Sequence, residues 1–301
     1  MAGRTELRAE PLLTLLVGRD LDGSRRFADD LSRIWSNRNH PTDERLAVSQ
    51  RGSARFRLRA LERSRGHFAI VSAEEASRYL GDHPRLRVIG GLWLIYLHAL
   101  TRDQTVQSLS LPLRNAVWVT ENAAYAHHAL WEWSRETPLA RDKLEIFPTP
   151  WIPDLLYNLG SEVLLFAAPV PLEEITAELQ RDSTLRLLPF DGGLLDEFRL
   201  AYPWLQTAVL PGSAYQKGAV LLEWPGRRML MVADVALPEP SARKMLESLY
   251  ETREGAALFN PLFGQYDTSV NKLLARILPF HPVSAKYFGL TEDGTRGGAS
   301  R

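Results

Sequence analysis

Along this chain, short apolar runs alternate with stretches whose apolar residues return every three or four positions. LLTLLV at 12–17 predicts a buried strand. It is followed by RRFADDLSRIWSNR, in which Phe27, Leu31, Ile34 and Trp35 fall on one helical face. RLAVSQ at 45–50, the helical RFRLRALER at 55–63 and HFAIVSA at 67–73 predict a second strand–helix–strand unit. In SAEEASRYLG, Ser72 with Glu75 three positions on reads as a capping box, and Gly81 as a stop. The apolar run LRVIGGLWLIYLHALTRD at 86–103 is expected to break into two strands at Gly90–Gly91.

The same alternation continues through a middle region from Gln104 to Leu205. Strands are expected in NAVWVTE, KLEIFPT, EVLLFAAP and LRLLPF, and helices in NAAYAHHALWEWSRE, IPDLLYNLG and LEEITAELQRD. After it come QTAVLPGSAYQ, the strand GRRMLMVADVALP and the helix EPSARKMLESLYETR. LPFHPVSAKYFG at 278–289 closes the body with a short helix, Pro282 suiting its first position because the missing N–H is unpaired there anyway. The pattern is that of an α/β fold with a largely parallel sheet. Its middle unit is inserted into the first: residues 1–103 and 206–301 form one lobe, 104–205 the other, with crossings near 98–104 and 204–211.

Composition narrows the function. A chain of 301 residues with 45% hydrophobic content can bury a core large enough for about two domains. Thirty-six basic and thirty-six acidic residues cancel, which disfavours nucleic acid as a partner. Cysteine is absent, which removes disulfides, thiolate metal sites and cysteine nucleophiles. No apolar segment approaches the roughly 20 residues that span a bilayer. The N-terminal apolar run is too short for a signal-peptide core. The chain as written therefore reads as cytoplasmic, or as periplasmic if an export signal has been removed or lies upstream.

Catalytic patterns do not emerge. The seven histidines are scattered without metal-ligand spacing, and neither a G-x-S-x-G elbow nor a phosphate loop occurs. His127 and His128 point about 100° apart on their helix and cannot share a face. His128 and Glu132 are read as a surface pair. Trp131 and Trp133 lie on different faces of that helix, so at most one is core by spacing and the other is available to a partner. No cofactor, metal or enzymatic activity is expected.

Six segments in order, HFAIVSAEEA, LRVIGGLWLIYLHALTRD, LRLLPFDGGLLDEF, YPWLQTAVLPGSAY, GRRMLMVADVALPE and LPFHPVSAKYF, resemble the TAXI family of solute-binding receptors of TRAP transporters. The resemblance covers most of residues 12–288. It implies a two-lobed type II periplasmic-binding-protein fold, each lobe a mixed sheet flanked by helices. It also implies a small ligand, anionic or carboxylate-bearing, held between the lobes, and membrane subunits of a TRAP transporter as partner.

Carried onto this chain, the ligand positions are Ser24 after the first strand, Arg51 and Ser53 before the helix RFRLRALER, Trp93, Glu121 and Tyr215. Trp93 and Tyr215 are equally readable as core, and Arg51 as a solvated arginine. Where the family has glycine-rich ligand turns, this chain has VGRDLDGSRRF and VTENAAYA, so the pocket is rebuilt or filled. The alternative is thus a divergent cytoplasmic relative that serves as a ligand sensor or protein-interaction module.

Overall fold

The computed structural model describes residues 12–18, 23–37, 44–110, 115–133, 143–147, 152–210, 214–215 and 222–290. Two compact units divide the chain: residues 1–93 with 229–301, and residues 94–228. Each is a mixed sheet flanked by helices, with both parallel and antiparallel pairs.

The first unit begins with β1 (Leu12–Val17), α1 (Ser24–Asn37), β2 (Arg45–Gln50), α2 (Ala54–Glu62), β3 (Phe68–Ser72) and α3 (Ala73–Tyr79). Strand β1 pairs in parallel with β2, Val17 opposite Gln50, and with β3. Two long strands, β4 (Leu86–Thr101) and β10 (Leu222–Asp234), contribute their outer parts to this sheet, in the order β2-β1-β3-β10-β4. Four further helices complete the unit: α8 (Glu239–Tyr250), α9 (Arg253–Ala257), α10 (Val270–Leu274) and α11 (Pro282–Phe288).

The periodicity of α1 is realised as burial of Phe27, Leu31 and Trp35. Phe27 stacks on Phe263 with centroids 4.3 Å apart and meets Trp93 at 4.6 Å. The capping box forms at Ser72 and Glu75. At α11, the His281 side chain accepts from the Val283 N–H, Pro282 follows it, and Gly289 ends the helix at φ 62°. The terminal HP motif is therefore a helix start, and the backbone of Phe280 bridges Val88 on β4.

The second unit contains β5 (Val117–Thr120), α4 (Ala124–Trp133), β6 (Leu144–Phe147), α5 (Ile152–Asn158), β7 (Val163–Ala168), α6 (Glu173–Arg181), β8 (Arg186–Leu187), α7 (Gly192–Ala201) and β9 (Leu205–Leu210). Its strand order is β10-β4-β7-β5-β6, with β9 on β10 and β8 on β4. Trp133 packs edge-on against Phe198 at 4.8 Å, whereas Trp131 is 39% exposed and stacks on His127. The helix α7 is absent from the pattern reading because DGGLLDEF opens on two glycines. It is started by Asp191, whose carboxylate accepts from the Gly193 N–H.

One expectation is corrected. Residues 86–101 are a single strand, not two strands parted at Gly90–Gly91. The glycine pair is there for close approach from the side. The Gly91 N–H donates to Asn271 Oδ1 at 2.8 Å, and the Tyr250 hydroxyl donates to the Gly91 carbonyl at 2.7 Å. A Cβ on Gly90 would run into the Tyr250 hydroxyl and lie 3.0 Å from its Cε2. Overpacking and a lost hydrogen bond together predict that Gly90→Ala destabilises by about 2–4 kcal/mol in urea unfolding. Gly81→Ala, where an added Cβ meets nothing within 4 Å, should stay within about 0.5 kcal/mol.

Candidate functional site

In the first unit, the carboxyl ends of parallel strands β1 and β2 feed the N-termini of α1 and α2. That edge of an open α/β sheet is where ligands commonly bind. Three of the sequence candidates lie there. Ser24 is the first residue of α1 and is buried; Gly23 before it has φ 73°, and its carbonyl accepts from the Phe27 N–H. Arg51 is exposed, and its N–H donates to the Val17 carbonyl at 3.0 Å, tying the β2 exit to β1. Ser53 is the N-cap of α2, its hydroxyl accepting from the Phe56 N–H.

A residue outside the sequence candidates holds this turn. Arg57 is 4% exposed, and its guanidinium donates to the Ile70, Arg51 and Gly52 carbonyls at 3.1, 3.3 and 2.7 Å. In RFRLR it looks like its exposed neighbours. Helical phase gives it away: Arg57 lies three after Ala54 and four before Leu61, both buried.

The charge around these helix starts opposes the helix dipole. An α-helix concentrates positive partial charge at its N-terminus, which favours acids there by roughly 0.3–1 kcal/mol each. Helices α3, α6 and α8 follow that rule with Glu74 and Glu75, Glu173 and Glu174, and Glu239. The first turns of α1 and α2 hold no acid and instead contain Arg25, Arg26 and Arg55. Beside α1 is an open cavity of ≈ 570 Å³ lined by Gly23, Arg25, Arg26, Asp29, Asp30, Arg33 and Phe259. Its two carboxylates are already engaged, Asp29 by Arg25 at 2.9 Å and Asp30 by Arg33 at 3.0 Å and Asn260 at 2.8 Å. The cavity wall thus combines three arginines and two aspartates with the ring of Phe259.

The remaining candidates lie elsewhere. Trp93 is fully buried in the first unit's core, against Phe27. Glu121 and Tyr215 belong to the second unit. Glu121 is exposed at the start of a single helical turn after β5. Beside it, Asn122 pairs with the Ala167 backbone through both ends of its amide, at 2.7 and 3.2 Å, where glycines were expected from the resemblance. The charged turn at Arg19, Asp20 and Asp22 lies outside the described residues.

Tyr215 is 6% exposed and anchors a polar cluster that sequence reasoning missed. Its hydroxyl accepts from the Leu172 N–H at 3.2 Å and donates to His98 Nε2 at 2.8 Å. His98 Nδ1, 3.0 Å from the Tyr96 carbonyl, is then the protonated nitrogen. The imidazole stacks on Phe166 at 4.7 Å and meets the edge of Trp224 at 5.0 Å. Complete burial drives its pKa down to about 3, outweighing the opposing bond to Tyr96, so it is neutral at physiological pH. Burial also pushes the Tyr215 phenol upward. No signal in the sequence pairs positions 98 and 215.

Among the described residues, no group of His, Asp and Glu is arranged to hold a metal ion. No helix among them is long and apolar enough to cross a membrane. No family model and no curated protein matches the chain. Among solved structures, the chain is similar to the spermidine/putrescine ABC transporter substrate-binding protein PotD from Streptococcus pneumoniae, with 10% identity, 96% of this chain and 88% of that one covered, and a TM-score of 0.48. It is also similar to the reduced OxyR regulatory domain from Pseudomonas aeruginosa, with 10% identity, 79% and 94% covered, and a TM-score of 0.42. A reduced form of OxyR from N. meningitidis aligns with 10% identity, 79% and 94% covered, and a TM-score of 0.45.

Proposed function

We propose that this protein is a binding protein rather than an enzyme, and that its first unit takes a small anionic or carboxylate-bearing solute at the carboxyl ends of β1 and β2. The observation that carries the reading is the set of arginines at helix starts that favour acids, beside a cavity with Arg25 and Arg26 in its wall. An anion there would receive charge-assisted hydrogen bonds and relieve the repulsion between guanidinium and helix dipole. The fuller form of this reading, from the sequence resemblance, is a TAXI-type receptor that hands its solute to a TRAP transporter.

A second reading is favoured by the use of Trp93 and Tyr215 as core and by Asn122 filling the β5 exit. In that reading the chain is a cytoplasmic relative acting as sensor or interaction module, its inherited pocket closed.

Calorimetric titration with succinate, glutamate, phosphate and sulfate, each checked by thermal shift, tests the first reading. At least one anion should raise the melting temperature through mass action. Arg26→Ala or Arg51→Ala should weaken that anion by about tenfold or more, the loss of one charge-assisted bond. Arg51→Ala should leave the unliganded melting point nearly unchanged, since the side chain is exposed. If no anion binds, or a diamine binds where the anions do not, the anion-receptor reading fails and the module reading gains.

A further inference from the structure

The outer face of α2 carries a charge pattern that no other described helix shares. On α1, Arg25 pairs with Asp29 and Arg33 with Asp30; on α3, Arg78 pairs with Glu74. On α6, α7 and α8, Arg181, Arg199 and Arg243 pair with Glu178, Asp196 and Glu239. Every one of these partners is three or four positions away. Helix α2 has Arg55 and Arg59 at the same spacing, followed by Arg63 and Arg65 just beyond its end, all exposed.

Among the described residues, Arg55, Arg63 and Arg65 make no ion pair, and Arg59 is directed to the Tyr79 hydroxyl. The one acid on the helix, Glu62, is engaged within the protein, its carboxylate taking the Tyr79 hydroxyl at 3.1 Å and the His83 ring at 2.5 Å. Into this row projects Phe56, 55% exposed although it is a large aromatic.

We infer that this face docks an acidic segment of a partner protein, its carboxylates repeating about every four residues. The geometry sets the repeat: guanidinium groups four residues apart on a helix rise by about 6 Å, the spacing of Glu side chains at i, i+4 and i+8 on a facing helix. Each guanidinium can take a carboxylate in a two-pronged bond. Arginine and an aromatic together are the composition of protein–protein hot spots.

A polyphosphate partner fits less well, because the chain's charges cancel to zero and supply no long-range attraction to a nucleic acid. Nor does α2 suit a lipid surface. Its apolar side, Ala54, Leu58 and Leu61, is packed inside the protein and cannot enter a bilayer. This surface shares Arg55 with the solute reading, whereas Arg59, Arg63 and Arg65 belong to it alone.

The test is fluorescence anisotropy of the full chain with a labelled helical peptide carrying glutamate at i, i+4 and i+8 and one leucine between them. Parallel titrations use an oligothymidylate and phosphatidylserine vesicles, with sedimentation equilibrium for self-association. Binding of the peptide should weaken tenfold or more in Arg55→Gln/Arg59→Gln/Arg63→Gln, and also on raising salt from about 50 to 500 mM. Arg51→Ala should leave it unchanged. Circular dichroism verifies the fold, and Arg55→Glu/Arg63→Glu, which spares Tyr79, stands in if the triple variant unfolds. The inference is overturned if the peptide does not bind or binds the variants equally. It is equally overturned if oligothymidylate or vesicles bind more tightly and are lost in the variants, or if the variants abolish only a self-association.

Discussion

Trp93→Ala is expected to destabilise the protein by roughly 3–5 kcal/mol, the cost of removing a fully buried large aromatic. The indole is wholly excluded from solvent and meets Phe27, which itself stacks on Phe263, so one truncation loosens a run of three rings joining β4, α1 and the segment after α9. At about 2–4 °C per kcal/mol for a chain of this size, the melting temperature should fall by roughly 6–20 °C. Trp93→Phe should retain most of the stability. The outcome discriminates between roles: a residue lining a solute site could be truncated at small cost to the fold but large cost to binding. A melting point unchanged by Trp93→Ala would return Trp93 to the ligand candidates.

Acid should weaken the protein well above the pH at which carboxylates titrate. Released into solvent by unfolding, His98 takes up a proton near pH 6.5; folded, it resists protonation down to about pH 3. Between those values the unfolded chain binds more protons, so stability is fully present above pH 6.5 and declines as the pH falls toward 3. Each such histidine contributes a slope of up to about 1.4 kcal/mol per pH unit. His281 and His67 add to the decline in the same direction, each held below the ordinary value chiefly by burial.

His98→Gln removes the largest contributor. From pH 7 to pH 5 the wild type should lose about 2 kcal/mol more than the variant, measured by urea unfolding at each pH. Equal losses in both proteins would show that the imidazole is not held neutral in the fold.

The elements were legible because they are local. The spacing of Phe27, Leu31 and Trp35, the Ser72–Glu75 box and the His-Pro start of α11 each announce themselves within a few residues, and each is present. The misread Gly90–Gly91 pair shows where that ends. A glycine doublet in a strand signals a break or a close approach, and only a partner 180 positions away, Asn271, decides between them.

The candidate site divides in the same way. Ser24, Arg51 and Ser53 come from the resemblance, and they lie where the pattern predicts a strand end and helix starts. Trp93 and Tyr215 are core for reasons of three-dimensional packing, the second through a histidine 117 positions distant. Arg57 was within reach of the sequence, since its helical phase matches that of buried Ala54 and Leu61.

Arg57 braces the Arg51–Gly52 turn through its carbonyls, leaving the exposed Arg51 side chain out of the scaffold. The turn is ordered by its own chain, so under the proposed solute reading a ligand would have no loop to freeze there and would lose little affinity to ordering. Residue 51 could then change identity, to lysine, glutamine or an acid, without the turn collapsing, and under the proposed solute reading such a change would alter the charge class of ligand preferred. Retargeting by drift or design would run through position 51, while position 57 stays fixed.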